Sequence, residues 1–205
     1  MLSHKSLAAT LVVAIVVPLC LIASRSVRGG SNPDDTNLGM AESQRMEQNF
    51  FKNAASDNTL EIRLAKLAQD RATDPQVKQI AQMMQKDHED ANALLQKLGQ
   101  QYKIDFTVDE LNPVGQAVYN DLQQRQGDQF TRMYVFQQVG LHAQDQLILA
   151  YHANNSKSPA SREYSSQILP RVEMHLQSLE QIARPMSGLS DAAQPAAERM
   201  SPMGK

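Results

Sequence analysis

The chain has no tryptophan, five phenylalanines, five tyrosines and a single cysteine in 205 residues. One cysteine cannot close an internal disulfide. Because Cys20 lies inside an N-terminal apolar run, the rest of the chain has no thiolate to offer a metal either. Any metal ligands must therefore be histidine, carboxylate or methionine. Few aromatics, set against plentiful Ala, Gln, Leu and Met, suit helices and offer little to a sheet. Charge is also in short supply: a formal net charge of −2 gives no basic field for nucleic acid and no acidic excess of the disordered kind. Nucleic acid is not an expected partner. No nucleophile elbow, phosphate loop or dinucleotide fingerprint occurs, so hydrolase and nucleotide-binding readings have no support. The expectation is one all-α domain with tails.

The N-terminus carries the first positive signal. MLSHKSLAATLVVAIVVPLCLIASRSVR begins basic, runs uncharged from Leu7 to Ala23 and ends with Arg25 and Arg28, the pattern of an export segment. The run approaches the roughly 18 to 20 residues that span a bilayer, although Pro18 interrupts it. Three fates stay open: cleavage at Ser24-Arg25-Ser26, an uncleaved membrane tether through residues 7–23, or lipidation at Cys20, against which Leu19 counts. Residues 1–24 are thus a signal peptide or anchor, and the expected location is the periplasm or the membrane. Residues 25–46 hold a linker rich in turn formers, 47–183 the helical domain, and 184–205 a tail without apolar period, read as disordered.

Within the domain, apolar residues recur at three- and four-residue steps over four long segments. From about Glu47 to Arg71, Phe50, Ala54, Asn58, Glu61, Ala65 and Ala68 share a stripe, with Leu60, Leu64 and Leu67 beside it. Val77, Ala81, Met84, His88, Ala91, Leu95 and Leu98 form the second stripe, which Gly99 is expected to end. Val135, Gln138, His142, Asp145 and Leu149 form the third, with Gly140 as a point of close approach. Tyr164, Ile168, His175, Leu179 and Ile182 form the last, which Pro170 interrupts. Asp74-Pro75, Asn112-Pro113 and Ser158-Pro159 each pair an N-cap with proline at the first helical position, and Gly127-Asp128 supplies another start. The stretch from Gln100 to Gly127 holds a short helix with Val114, Val118 and Leu122 on one face. Its length suits a crossover along a four-helix bundle better than a tight hairpin.

FFKNAASDNTLEIRLAKLA, the Asp87-His88 pair, GDQFTRMYVFQQVGLH and ILPRVEMHLQSL together resemble the exported domain of unknown function 4142 family, over about Phe50 to Ala183. The resemblance implies a ferritin-like four-helix bundle with a long crossover, in the bacterial envelope, often labelled a membrane protein. It implies no known activity. Members commonly carry Asp directly after the phenylalanine that is Phe130 here, where this chain has Thr131.

Glu61, His88, His142 and His175 come one from each long helix and from its buried stripe. At about 1.5 Å rise per residue they fall within roughly two turns of one level. Such a set suits one divalent transition-metal ion such as Zn²⁺, Cu²⁺ or Fe²⁺. Against this, the Glu-x-x-His signature of a di-iron centre is absent, since Gln85 and Val172 stand three residues before His88 and His175. The same side chains also suit a structural polar layer, or need not meet. Met84 and Met174 add a copper option, though Met is more often core filler. Asp145 and His152 fit an exposed or half-exposed face, and Asp87 fits either solvent or the orientation of a ring. Two functions follow: a non-enzymatic envelope protein acting by binding or stress protection, or a metal-binding or redox protein using the Glu/His layer. Neither requires an enzyme, and the sequence does not specify an oligomer.

Overall fold

A computed structural model describes residues 33–187. The export segment and the end of the C-terminal tail lie outside the described residues. Five helices make up the fold: α1 (Pro33–Arg71), α2 (Pro75–Tyr102), α3 (Pro113–Gln123), α4 (Gly127–Asn155) and α5 (Pro159–Met186). Among the described residues there is no strand, and no helix is long and apolar enough to cross a membrane.

The helix starts follow from local chemistry. Asp74, Asn112 and Ser158 accept hydrogen bonds from the backbone N–H groups of Gln76, Gly115 and Ser161 at 2.8, 2.8 and 3.1 Å, each with proline next in sequence. The start of α4 departs from the expected Gly127-Asp128 cap. Gln126 is the N-cap residue and makes no side-chain cap bond, while Gly127 turns the chain at φ +56, where a side chain would be strained. Asp128 instead accepts from the Thr73 hydroxyl at 2.7 Å, and the Thr131 hydroxyl accepts from the Thr73 N–H at 2.9 Å. Thr131 thus ties the α1–α2 turn to the start of α4 with a hydroxyl.

Helix α1 begins at Pro33, well before the expected Glu47. Residues 39–46 are exposed on every face, and a helix that buries nothing leaves no apolar period to read. Helix α2 buries its whole expected stripe, from Val77 to Leu98, but does not stop at Gly99. It continues to Tyr102 and closes at Lys103 (φ 57), with the Ile104 N–H donating to the Gly99 carbonyl at 2.9 Å. Gly99 is needed for packing: a β-carbon there would meet Phe106 Cε1 at 2.5 Å and the Ile104 carbonyl at 3.2 Å. Phe106 is itself held edge-on against Phe51, with ring centroids 5.4 Å apart. Gly99→Val should therefore destabilise the domain by about 2 kcal/mol, the usual scale of overpacking, read as a lower urea midpoint. An unchanged midpoint would mean that Phe106 yields freely.

Other expectations change in detail. Val114 is 74% exposed, leaving Val118 and Leu122 as the packed face of α3. Nothing lies within 4 Å of a β-carbon built at Gly140, so no close approach explains that glycine. Helix α5 runs through Pro170, which is exposed along with Ser166, so the carbonyl that loses its helical partner can turn to water.

The helices pack chiefly as α1 on α2 and α4 on α5, with α2 also against α5 and α3 against α1. The α2–α4 connection follows α1 along its length. Gln48 donates to the Asp105 carbonyl, Ser56 and Thr59 accept from the N–H groups of Asn112 and Asp109, and Arg71 donates to the Gln123 carbonyl. One apolar cluster gathers Leu64, Ala68, Val77, Leu122, Phe130 and Tyr134; another gathers Phe51, Leu95, Leu98, Leu149, Tyr164 and Ile168. Between them in register lies a buried polar layer: Asn58 and Glu61 on α1, His88 on α2, Gln138 and His142 on α4, and His175 on α5.

Candidate functional site

Three imidazoles meet in the polar layer. The ring centroids of His88, His142 and His175 lie 5.6, 5.7 and 5.3 Å apart, a nearly equilateral triangle. One nitrogen from each ring falls within 4.8 Å of the other two, and all three residues are buried.

The outer partners fix which nitrogen carries the proton. His142 Nδ1 lies 3.1 Å from the Gln138 carbonyl, which can only accept, so this nitrogen donates and Nε2 holds a lone pair. His175 Nε2 lies 2.9 Å from Asp87 Oδ2, so it donates and leaves Nδ1 bare. His88 Nδ1 lies 2.9 Å from Asn58 Oδ1. The Asn58 amide nitrogen donates to Asn92 Oδ1 at 3.1 Å and to the Tyr164 hydroxyl at 3.0 Å, which fixes Oδ1 as the acceptor facing His88. His88 Nε2 is thereby left bare, buried and without a partner among the described residues. The three outer N–H groups are all held by acceptors, and the bare His142 Nε2 and His175 Nδ1 face each other inside the cluster.

His142 Nε2 and His175 Nδ1 stand 3.3 Å apart. With both outer protons donated, this is a contact between two lone pairs and needs a cation to be favourable. A proton is disfavoured. Burial, then the neighbouring rings, holds His88 well below its ordinary pKa; burial and then His175 bring His142 down to about 3; burial lowers His175 despite Asp87. A tetrahedral ion with metal–nitrogen distances of about 2.0–2.1 Å sets its ligands about 3.3 Å apart, so this pair already has the required spacing. The Asp87 carboxylate, which also lies 3.6 Å from the Arg171 guanidinium, is the kind of outer partner that orients a ligating histidine.

Glu61 shares the layer but not the cluster. It is 1% exposed, and among the described residues the group able to surround an ion contains the three histidines without it. Its Oε2 has no hydrogen-bond partner among the described residues. Burial and then the Asp145 charge push its pKa well up; the Gln138 amide beside it acts the other way, and Asp57 adds to the rise. Asp145, expected on an exposed or half-exposed face, is half-buried, with its pKa raised by burial and then Asp57 to about 8; burial raises Asp57 to about 6.

Neither methionine supports a copper set. Met84 packs with Ile80 and Leu179, and Met174 is 43% exposed. His152 is half-buried and lies against Phe50 at 4.1 Å between ring centroids. The sequence reading missed Asn58 as the group that orients His88, although Asn58 stands on the same stripe one turn before Glu61.

No curated protein and no solved structure matches the chain. A family model does, over residues 34–182, and the chain belongs to that family, the domain of unknown function DUF4142.

Proposed function

We propose that this is an exported protein whose four long helices form a ferritin-like bundle, and that it acts by binding one divalent transition-metal ion through His88, His142 and His175. The observation that carries this reading is the meeting of three buried imidazoles, one nitrogen of each within 4.8 Å of the other two, whose outer N–H groups are all held by acceptors. Neutral imidazoles suit Zn²⁺, Cu²⁺ and Fe²⁺, and three protein ligands leave a fourth position for water or another small ligand. Glu61 has no place in this ligand set. The bundle reading is supported by the pairing of α1 with α2 and α4 with α5, and by a connection along α1 that serves as the crossover. Export rests on the basic start and the Leu7-to-Ala23 run.

Titrating Zn²⁺ into chelator-stripped full-length protein tests the proposal: one equivalent should bind and release few protons, because the ligands are already neutral at pH 7. Absence of stoichiometric binding for Zn²⁺, Cu²⁺ and Fe²⁺ alike would leave the layer a structural network. Asp87→Ala should weaken the ion about 10- to 100-fold by freeing the His175 ring, while its stoichiometry stays at one. Unchanged affinity in that variant would remove Asp87 from the site.

A further inference from the structure

Beside the histidines, α1, α4 and α5 enclose a cleft of about 740 Å³. Phe50, Leu149, Tyr164, Ile168 and Val172 give it apolar walls. Its charged lining is one-sided: Glu42, Glu47, Asp57 and Asp145 face it, with Lys157 as the sole lysine or arginine. The Glu47 carboxylate is engaged by the Ser158 hydroxyl, whereas no hydrogen bond or ion pair holds Asp57 or Asp145 among the described residues. His88, 4% exposed, also lines the cleft, with Nε2 unpartnered.

We infer that the cleft binds a small organic cation, a protonated amine on an apolar or aromatic body, with the ammonium between Asp57 and Asp145 and the body against Phe50, Tyr164 and Ile168. Burial works against both carboxylates and the Asp57 charge works against Asp145 as well, and an ammonium group relieves both at once. An anion would add to the repulsion. A neutral apolar molecule would cover the walls and leave the carboxyls unpaired. A bare metal ion is a poorer occupant, because among the described residues no group of three or more donors able to hold an ion includes these carboxyls. Aromatic walls also suit a cation, whose charge is attracted to their ring faces. A volume of about 740 Å³ lies within the usual range for small-molecule sites. The carboxyls and walls belong to the metal-free chain, so the inference does not depend on the histidine cluster holding an ion.

The test is calorimetric titration of the full-length protein, with chelator present, by three ligands of similar shape: 2-phenylethylamine, 2-phenylethanol and 3-phenylpropionate. The amine should bind at least tenfold more tightly than the alcohol, and the carboxylate should not bind measurably. Asp57→Asn combined with Asp145→Asn should bring the amine to the level of the alcohol without altering the alcohol. Ile168→Trp, which fills the cleft while keeping both carboxyls, should block amine and alcohol together. Equal affinities, preference for the carboxylate, or an amine preference that survives either variant would overturn the inference. Because chelator is present throughout, failure of metal binding and failure of amine binding are separate results.

Discussion

Replacing His142 by alanine should lower Zn²⁺ affinity by at least about a hundredfold, since loss of a direct ligand should cost no less than the 10- to 100-fold loss measured for outer-shell partners. His142 is fully buried, and its bare Nε2 faces His175 Nδ1 at the spacing of two ligands on one ion. Two imidazoles would remain after the change. The loss should appear in thermal stability as well. An ion at a hundred times its Kd adds about 2.7 kcal/mol to the folded state. For a domain of this size that corresponds to roughly 5–10 °C in Tm. Zn²⁺ should therefore raise the Tm of the parent protein by about that amount, chelator should reverse it, and His142→Ala should lose most of both responses while keeping its helical circular dichroism. His152→Ala is the control: this ring lies against Phe50, away from the cluster, and its removal should leave the Zn²⁺ response intact. A Zn²⁺ response that persists in His142→Ala at full size would mean the ion sits elsewhere.

The second large effect is a loss of stability in the metal-free protein as pH rises from about 6.5 to about 8. Asp145 holds its proton to about pH 8 in the folded state and Glu61 well above its ordinary range, whereas in the unfolded chain both ionise near pH 4. Over that interval the folded state binds more protons than the unfolded one, so stability falls as pH rises. Asp57 acts in the same direction up to about pH 6. The histidines act oppositely: below about pH 6.5 the unfolded chain takes up protons that buried His88 and His142 refuse, so stability falls as pH falls. The two sets oppose each other between about pH 4 and 6.5. Above that, the histidines are neutral in both states and only the carboxyls contribute. One proton of difference is worth about 1.4 kcal/mol per pH unit. Asp145 alone would give roughly 2 kcal/mol from pH 6.5 to 8, and its partial exposure to the cleft brings this nearer 1 kcal/mol. Urea midpoints at the two pH values, in chelator, measure the slope. Asp145→Asn should reduce it to the part that Glu61 supplies, and stability that rises with pH over this interval would contradict the carboxyl assignments.

The helices were legible in the sequence where they bury a stripe and opaque where they do not. From Val77 to Leu98 every expected position of α2 is buried, because three- and four-residue spacing follows directly from helical geometry. Residues 39–46 of α1 bury nothing and left no such trace. Gly99 looked like a stop, since glycine commonly ends helices, yet what requires it is Phe106, brought onto α2 by a connection whose path depends on tertiary packing. The candidate site follows the same division. That His88, His142 and His175 lie on buried faces was readable; that they meet, and that Glu61 does not join them, depends on the axial offset and rotation of four helices to within about one turn. Asn58 and Glu61 lie three residues apart on one stripe, so periodicity could not say which of them faces His88. The outer acceptors were further from reach, because Asp87 looks like part of a solvated charge run until His175 is brought against it.

The measurement that bears most directly on the metal-binding reading is X-ray absorption spectroscopy of the Zn²⁺-loaded, dialysed full-length protein. Three histidine ligands predict a first shell dominated by nitrogen at about 2.0–2.1 Å, with the outer-shell scattering of three imidazoles and one lighter contribution from water. In His175→Ala that outer-shell signal should fall by a third or vanish with the ion. A first shell of oxygen without imidazole scattering, or a protein that retains no Zn²⁺ after dialysis, would contradict the account.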